Sequence, residues 1–425
     1  MNILVVGGGA REHAITWKLS QSPKARQIYL APGNAGTASI AQNLDIRDTD
    51  LPALTEASRQ YKVDLVVVGP EAPLAAGIVD HFKAAGIPIF GPSKSAARIE
   101  SSKSFSEELM QKYGIPCAKG PSFSDYKAAV DYINKQKLPV WIKADGLAAG
   151  KGAIIAESAD SAAEILSNLM EKKTMGASGE KVVIQENLVG REMSYFTVSD
   201  GITVLPLASA CDYKRVFNGD KGPNTGGMGS YSPPEFYTPG LGKTALDKIM
   251  NPAIKAMAQE SSPYQGFLYG GLVITKEGPK AIEFNARLGD PETQVIMPRL
   301  KTDLLDIILA VIDGKLNNVK IEISEDACVG VVIAPGGYPG SYKTGFPVSG
   351  LHILDKDVIV FHAGTKLDEK GQVVTSGGRS LTVVAKGKTL AQAREKVYAN
   401  ISRIKFEGCH YRKDIALINP NHQSS

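Results

Sequence analysis

The 425-residue sequence predicts a multidomain protein that joins an α/β unit to α+β units, and three observations carry that expectation. The chain is too long for one core, since single hydrophobic cores rarely grow past roughly 250–300 residues. Its opening region strings together near-continuous apolar runs separated by helical stretches, the pattern of a parallel sheet covered on both faces. Farther on, strand-like segments alternate with glycine-rich loops, and short strands dominate toward the C-terminus. The boundaries this implies are 1–100 for an N-terminal parallel α/β unit, 101–191 for a small unit with a glycine flap and its linking helix, 192–325 for a core α+β unit, and 326–425 for a β-rich cap.

In the first unit, NILVVGG is an apolar run ending in glycines, followed by a helical stretch over about Arg11–Ser20. QIYLA, closed by Pro32-Gly33-Asn34, then DLVVVGP and IPIFGP continue the alternation. Parallel sheets bind ligands at the carboxyl ends of their strands. Those ends carry Gly7-Gly8-Gly9, Pro32-Gly33-Asn34 and Gly69-Pro70-Glu71, so three loops are expected to face one crevice. The second unit reads as a helix over about 101–113, a strand–glycine loop–strand in LPVWIKADGLAAGKGAIIA, a helix over 161–172 and the strand VVIQENLV. The third has strands in MSYFTVSDG and ITVLPLASA, a long Gly/Pro/Asn-rich loop over 218–234, a helix over 241–260, strands in FLYGGLVIT and KAIEFNA, and a helix over 302–313. The cap has strands in CVGVVIAP, VIVFHAGT and SLTVVAKG and a helix over 390–404, with a frayed tail from His422.

Bulk properties narrow the class. The net charge is +4 and no basic run stands out, so nucleic acid is not an expected partner. No apolar run reaches the ~18–20 residues of a membrane span. Cys117, Cys211, Cys328 and Cys409 lie far apart, which argues against a zinc site or a disulfide framework. With a strand starting at Asn2, no targeting leader is expected, and a reducing, cytoplasmic location fits best.

Four segments carry chemistry. In WIKADGLAAGKG, Gly146, Gly150 and Gly152 let backbone N–H groups approach phosphate oxygens, and Lys143 and Lys151 add positive charge. It is not a Walker A loop, because Gly152 stands where Ser or Thr is required, and a plain surface loop is the alternative. In IEFNARLGDPETQ, Glu283 and Asn285 lie two apart on a strand and share a face. A carboxylate and an amide oxygen suit Mg²⁺, which shares its shell with phosphates and water. Arg287 continues that face and suits a transferring phosphoryl group; an exposed polar edge is the alternative, weakened by Ala281, Ile282 and Phe284 around it. In VVIQENLVGRE, the main chain at Glu186, Asn187 and Leu188 suits an adenine edge and Glu192 suits ribose hydroxyls, against a simple strand end. In DYKRVFNGDKGPNTGGMGSYSP, Asp212, Lys214 and Arg215 precede a glycine-rich loop of a length that is uncommon unless functional. The six histidines are scattered, and His13 fits a packing role as well as a catalytic one.

In their order along the chain these segments resemble the ATP-grasp superfamily, with Lys103 opening a helix that ends in Tyr113-Gly114-Ile115-Pro116 ahead of Lys143, the flap, Glu186–Leu188 and Glu283/Asn285/Arg287. GGGAREHA (7–14), APGNAG (31–36), GPEAPL (69–74), GPNTGGMG, EFNARLGDPETQ, GGYPG (336–340), HAGT and GGR (377–379) resemble the phosphoribosylamine–glycine ligase family over nearly the whole chain. The departures are Ala10 for glycine, Cys211-Asp212-Tyr213 for Gln-Asp-His, and Ala286 and Leu288 for Cys and Phe.

The resemblance implies an ATP-grasp fold with an N-terminal parallel-sheet domain and a β-rich C-terminal cap. It implies an enzyme that joins glycine to 5-phosphoribosylamine through glycyl phosphate, using ATP and Mg²⁺ or Mn²⁺ in purine synthesis, as a monomer or weak homodimer. Lys103, Lys143, Gly150, Lys151 and Gly152 would meet the ATP phosphates, Glu186, Asn187 and Leu188 the adenine, and Glu192 the ribose. Glu283 and Asn285 would hold the metal, and Arg287, Asp212 and Lys214 would form the catalytic set. Gly9, Arg11, Asn34 and Glu71 would take the sugar phosphate, with Asn224, Gly289 and Asp290 completing the substrate pocket. A nicotinamide dehydrogenase is disfavoured, because Glu12 stands where the GxGxxG fingerprint needs glycine and strand QIYLA ends in Pro32-Gly33 rather than an acid. Another carboxylate–amine ligase of this superfamily and a non-catalytic nucleotide-binding protein remain as alternatives.

Overall fold

The computed structural model describes residues 1–147 and 152–418. The N-terminal sheet has five parallel strands, β1 (Asn2–Gly7), β2 (Gln27–Pro32), β3 (Gln42–Asn43), β4 (Leu65–Val68) and β5 (Ile89–Phe90), in the order β3-β2-β1-β4-β5. Their apolar runs are buried on both faces, as expected of a covered parallel sheet. The register pairs Gly7 with Pro32 and Val6 with Val68, so the three loops that follow β1, β2 and β4 sit side by side. Helix α1 (Ala10–Leu19) starts from Gly9. Gly8 passes so close to the Gly33 carbonyl that a Cβ there would lie 2.7 Å from it, which is the physical reason for a glycine cluster at this turn.

The second sheet holds β6 (Ser122–Phe123), β7 (Val140–Ala144), β8 (Ala153–Ala156) and β9 (Val182–Glu186), antiparallel, in the order β6-β9-β7-β8. It packs on helices Tyr126–Ile133 and Ala159–Leu166 around its own core of Ile133, Ile142, Leu166 and Ile184. The linking helix Lys103–Lys112 sends Leu109 and Met110 into the central core instead. The expected helix over 161–172 begins two residues earlier, capped by Ser158, and its last turn, Ser167–Glu171, is π-helical.

The remaining strands are β10 (Arg191–Asp200), β11 (Val204–Asp212), β12 (Arg215–Phe217), β13 (Lys221–Asn224), β14 (Gly229–Ser232), β15 (Gln265–Thr275), β16 (Gly278–Asn285), β17 (Ala327–Pro335), β18 (Val358–His362), β19 (Thr365–Leu367), β20 (Val373–Thr375), β21 (Leu381–Gly387) and β22 (Cys409–His410). One sheet runs β16-β15-β10-β11-β14-β17-β21-β18, with β22 added to β17, so the core unit and the cap are joined by main-chain hydrogen bonds at β14 and β17. The stretch 218–234, expected to be all loop, contains a strand of the β12–β13 hairpin and the buried strand β14. Its glycines and prolines hide any two-residue alternation, and β14 exists because β11 and β17 flank it with hydrogen-bonding partners. Among the described residues, no helix is long and apolar enough to cross a membrane.

Candidate functional site

A cleft of about 1100 Å³ opens where the N-terminal loops, the β7–β9 unit and the end of β16 meet. Glu283 enters it from β16 opposite Gly271, whose missing side chain leaves room for the Glu283 stem. Lys103 Nζ lies 3.3 Å from Glu283 Oε2, and the Asn285 amide lies 3.5 Å from Oε1. Burial alone would raise the Glu283 pKa, but Lys103, Lys214 and Lys143 outweigh it and hold the carboxyl well below its usual range. Lys143, on β7, is 7% exposed and donates to the Ile282 carbonyl at 2.7 Å. Burial, partly offset by Glu283, brings its pKa down to about 8.

Arg287 lies beyond the end of β16, yet its guanidinium reaches the same cleft as Glu283 and Asn285. It is held by Glu71 at 3.0 Å and Glu100 at 2.9 Å, with the Leu288 carbonyl accepting at 3.1 Å. Glu100 also accepts from the Ala286 amide at 2.7 Å, which sets the turn that carries Arg287. Burial pushes Glu71 up, while Arg287 and Arg11 pull it down more strongly, to about 2. Arg11 is buried, 2.5 Å from Glu12 and 3.7 Å from Glu71. Thus the first-unit loop and the turn after β16 share one ion-pair network, though Glu71 and Arg287 are 216 residues apart.

On the third side, Lys214 lies 2.9 Å from Glu192 and 3.9 Å from Asp212. Burial raises the Asp212 pKa against the pull of Lys214. Asn224, at the end of β13, Gly289 and Asp290 line the same cleft. At the end of the cleft beside β7 and β9, Gly152, Glu186, Asn187 and Leu188 line the wall. Glu186 accepts from the Lys119 amide at 3.0 Å and Asn187 from the Trp141 indole at 2.9 Å, so both side chains shape the strand end.

Two expected residues face elsewhere. Asn34 is buried, donates to Gly8 and His362 carbonyls at 3.0 and 2.8 Å and accepts from the Gly36 and Thr37 amides at 2.9 and 3.1 Å, which occupies its amide in the seam with the cap. The Gly9 amide donates to Glu12 at 2.8 Å. Gly150 and Lys151 lie outside the described residues. Tyr213, one of the departures, gives its hydroxyl to the Ala416 amide as an acceptor at 3.0 Å and lies 4.8 Å under Arg412. The sequence reading assigned no role to Glu100, Glu292 or Arg379. Glu292 and Arg379 stand inside quoted motifs, and Arg379 reaches from the cap to pair with Asp290 at 3.1 Å. Glu100 sits on an unremarkable helix, and no local pattern marks it.

Residues 1–100 match the phosphoribosylglycinamide synthetase N domain, residues 101–293 its ATP-grasp (A) domain and residues 328–418 its C domain. The chain belongs to the phosphoribosylglycinamide synthetase family. Within that family it is 49% identical over 420 residues to a phosphoribosylamine–glycine ligase of Caldanaerobacter subterraneus, covering 98% of this chain and 99% of that protein. It is 48% identical over 419 residues to one of Salmonella typhimurium, covering 98% of each. The crystal structure of phosphoribosylamine–glycine ligase from Thermotoga maritima superposes with a TM-score of 0.86 at 33% identity, covering 98% of this chain and all (100%) of that one. A biotin carboxylase–β-γ-ATP complex from Campylobacter jejuni shares the fold, with a TM-score of 0.74 at 16% identity over 99% of this chain and 95% of that one. The multidomain ATP-grasp fold and the synthetase family expected from the motifs are both borne out.

Proposed function

We propose that this chain joins glycine to 5-phosphoribosylamine, converting ATP to ADP and phosphate through glycyl phosphate. The observation that carries this reading is the meeting of Glu283, Asn285 and Arg287 with Lys103 and Lys143 in one cleft beside the N-terminal loops. A carboxylate is a poor electrophile because its charge repels an amine. Phosphorylation converts it to an acyl phosphate with a good leaving group, so two easier steps replace one. The residues then act mainly by position and charge, as in other phosphoryl transfers.

Lys103 and Lys143 are placed for phosphate oxygens, the Glu186–Leu188 main chain for adenine, and Glu192 for ribose hydroxyls, with Lys214 exchanging its Glu192 contact for a substrate. Glu283 and Asn285 fit a hard divalent cation, Mg²⁺ or Mn²⁺: one is an ionised carboxylate, the other an amide oxygen, and both are oxygen donors. Two such donors leave part of the shell to phosphate oxygens, and the ion would neutralise phosphate charge there. Arg287, kept protonated by Glu100 and Glu71, is aimed at the transferring phosphoryl group. Arg11 and Glu71 face the sugar phosphate, and Asp212, Asn224, Gly289 and Asp290 the glycine and amine. A cytoplasmic monomer or weak homodimer fits a small-molecule ligase. The test is ADP release with phosphoribosylamine generated in situ, with and without glycine, against a panel of other carboxylates and amines. Release that requires glycine and phosphoribosylamine together is expected. Turnover with a different pair, or nucleotide binding without turnover, overturns the reading.

A further inference from the structure

The geometry points to Glu292 as the proton acceptor for the amine that attacks the acyl phosphate, a role that rests on the ligase reading above. Glu292 is 4% exposed and lines the cleft just ahead of the short helix Thr293–Ile296. Its Oε1 lies 3.0 Å from the Ser194 hydroxyl, which lies 3.2 Å from the Tyr269 hydroxyl. Among the described residues, Oε2 has no hydrogen bond to another residue. It lies flat against Gly289, where a Cβ would be only 2.4 Å from it, so any larger residue at 289 would displace the carboxyl.

The groups that act on Glu292 are Asp212 at the end of β11, Lys214 just beyond it, Tyr269 on β15 and Arg287 on the preceding turn. Burial first, and Asp212 second, push its pKa up to about 7, against the pull of Ser194 and Lys214. A base with that proton affinity is matched to neutral pH. By contrast, Glu283 is surrounded by three lysines and Glu71 by two arginines, which hold both carboxyls ionised.

In the step itself, the amine nitrogen lone pair forms the C–N bond to the glycyl carbonyl carbon. The carbonyl carbon–phosphate oxygen bond breaks, and phosphate leaves with that electron pair. The nitrogen gives up one proton, which Glu292 accepts on Oε2, the oxygen not engaged by Ser194.

The test uses Glu292→Gln in the full chain, because the amide keeps the shape and can still accept from Ser194. Two readouts separate the half-reactions. Positional isotope exchange in ¹⁸O-labelled ATP with glycine and no phosphoribosylamine reports glycyl phosphate formation, and product formation with phosphoribosylamine reports the whole reaction. The expected result is retained exchange with product formation down by about 10²-fold or more. The wild-type kcat/KM for the amine should fall below about pH 7 and this limb should be absent in Glu292→Gln, with Glu292→Asp recovering part of the rate. Equal loss of exchange and synthesis overturns the assignment, because Glu292 would then serve glycine binding or folding. Unchanged synthesis overturns it as well. Absence of glycine-dependent exchange in the wild type would instead bring down the ligase reading, and Glu292's role with it.

Discussion

The β7–β9 unit and the N-terminal sheet both deliver residues to the cleft, but they are attached to the rest of the molecule in opposite ways. The N-terminal strands contribute to two hydrophobic clusters that also contain central residues such as Met257, Phe284, Ile307 and Phe361. The β7–β9 unit has a separate apolar cluster of its own. Its side-chain links to the body are polar: Lys143 to the Ile282 carbonyl, Asp145 to Ser104, and Gln185 to Glu107. A shared apolar core resists sliding, because displacement exposes packed surface to water, whereas polar contacts can be exchanged for water or ligand. Under the proposed reaction, the N-terminal unit would serve as a fixed wall and the β7–β9 unit as a lid over the nucleotide side that keeps water from a hydrolysable acyl phosphate.

Glu283 is the point where the β7–β9 unit meets the body, since Lys143 of that unit and Lys103 and Lys214 outside it surround its carboxylate. Glu283→Ala is expected to lower glycine-dependent ADP release by about 10³-fold or more with an unchanged melting temperature; near-normal activity would remove the metal role. Next in size, Leu166→Ala in the lid core should cost about 2–5 kcal/mol locally. Hydrogen exchange should then rise in residues of β7 and β9 and stay unchanged in β1 and β4; a global change would mean that the lid is not an independent unit.

The wall has its own test in the seam to the cap. The His362 amide donates to His13 Nδ1 at 2.9 Å, and both rings are buried, 6% and 8% exposed. Burial, with His362 adding for His13, lowers their pKa values from 6.5 to about 3 and about 4. Unfolded histidines take up protons as pH falls through 6.5, while the folded ones do not. Stability is therefore full above that value and falls as pH drops toward 4, by on the order of a few kcal/mol. Denaturant titrations near neutral pH and near pH 5 should show this loss, and His13→Phe should flatten it. The smallest effect is kinetic: Lys143→Ala should raise KM for ATP by roughly tenfold, and that for glycine less, because one phosphate contact is worth about 1–2 kcal/mol. The reverse ranking would place Lys143 on the other substrate.

Much of this is legible in the sequence. The parallel sheet followed from four apolar runs with helices between them, and β16 from the alternation of Glu283 with Asn285. Less legible was the 218–234 stretch, where glycine and proline mask a strand that exists only through β11 and β17. The side chain of Asn34, read as facing the sugar phosphate, is taken up by the seam with His362. Glu100 carried no signal at all, because its partner Ala286 is 186 residues away.

The sequence by itself determined the local geometry: strands from apolar runs, tight turns from glycine clusters such as Gly7-Gly8-Gly9, and a carboxylate and an amide on one face from two-residue spacing. These depend on neighbours within a few residues. Only the tertiary structure decided which charges meet, placing Arg287 between Glu71 and Glu100, Arg379 on Asp290, and Glu292 against Gly289. Electrostatic pairing is set by distance and burial, and for residues far apart in the chain both arise only when the separate units pack.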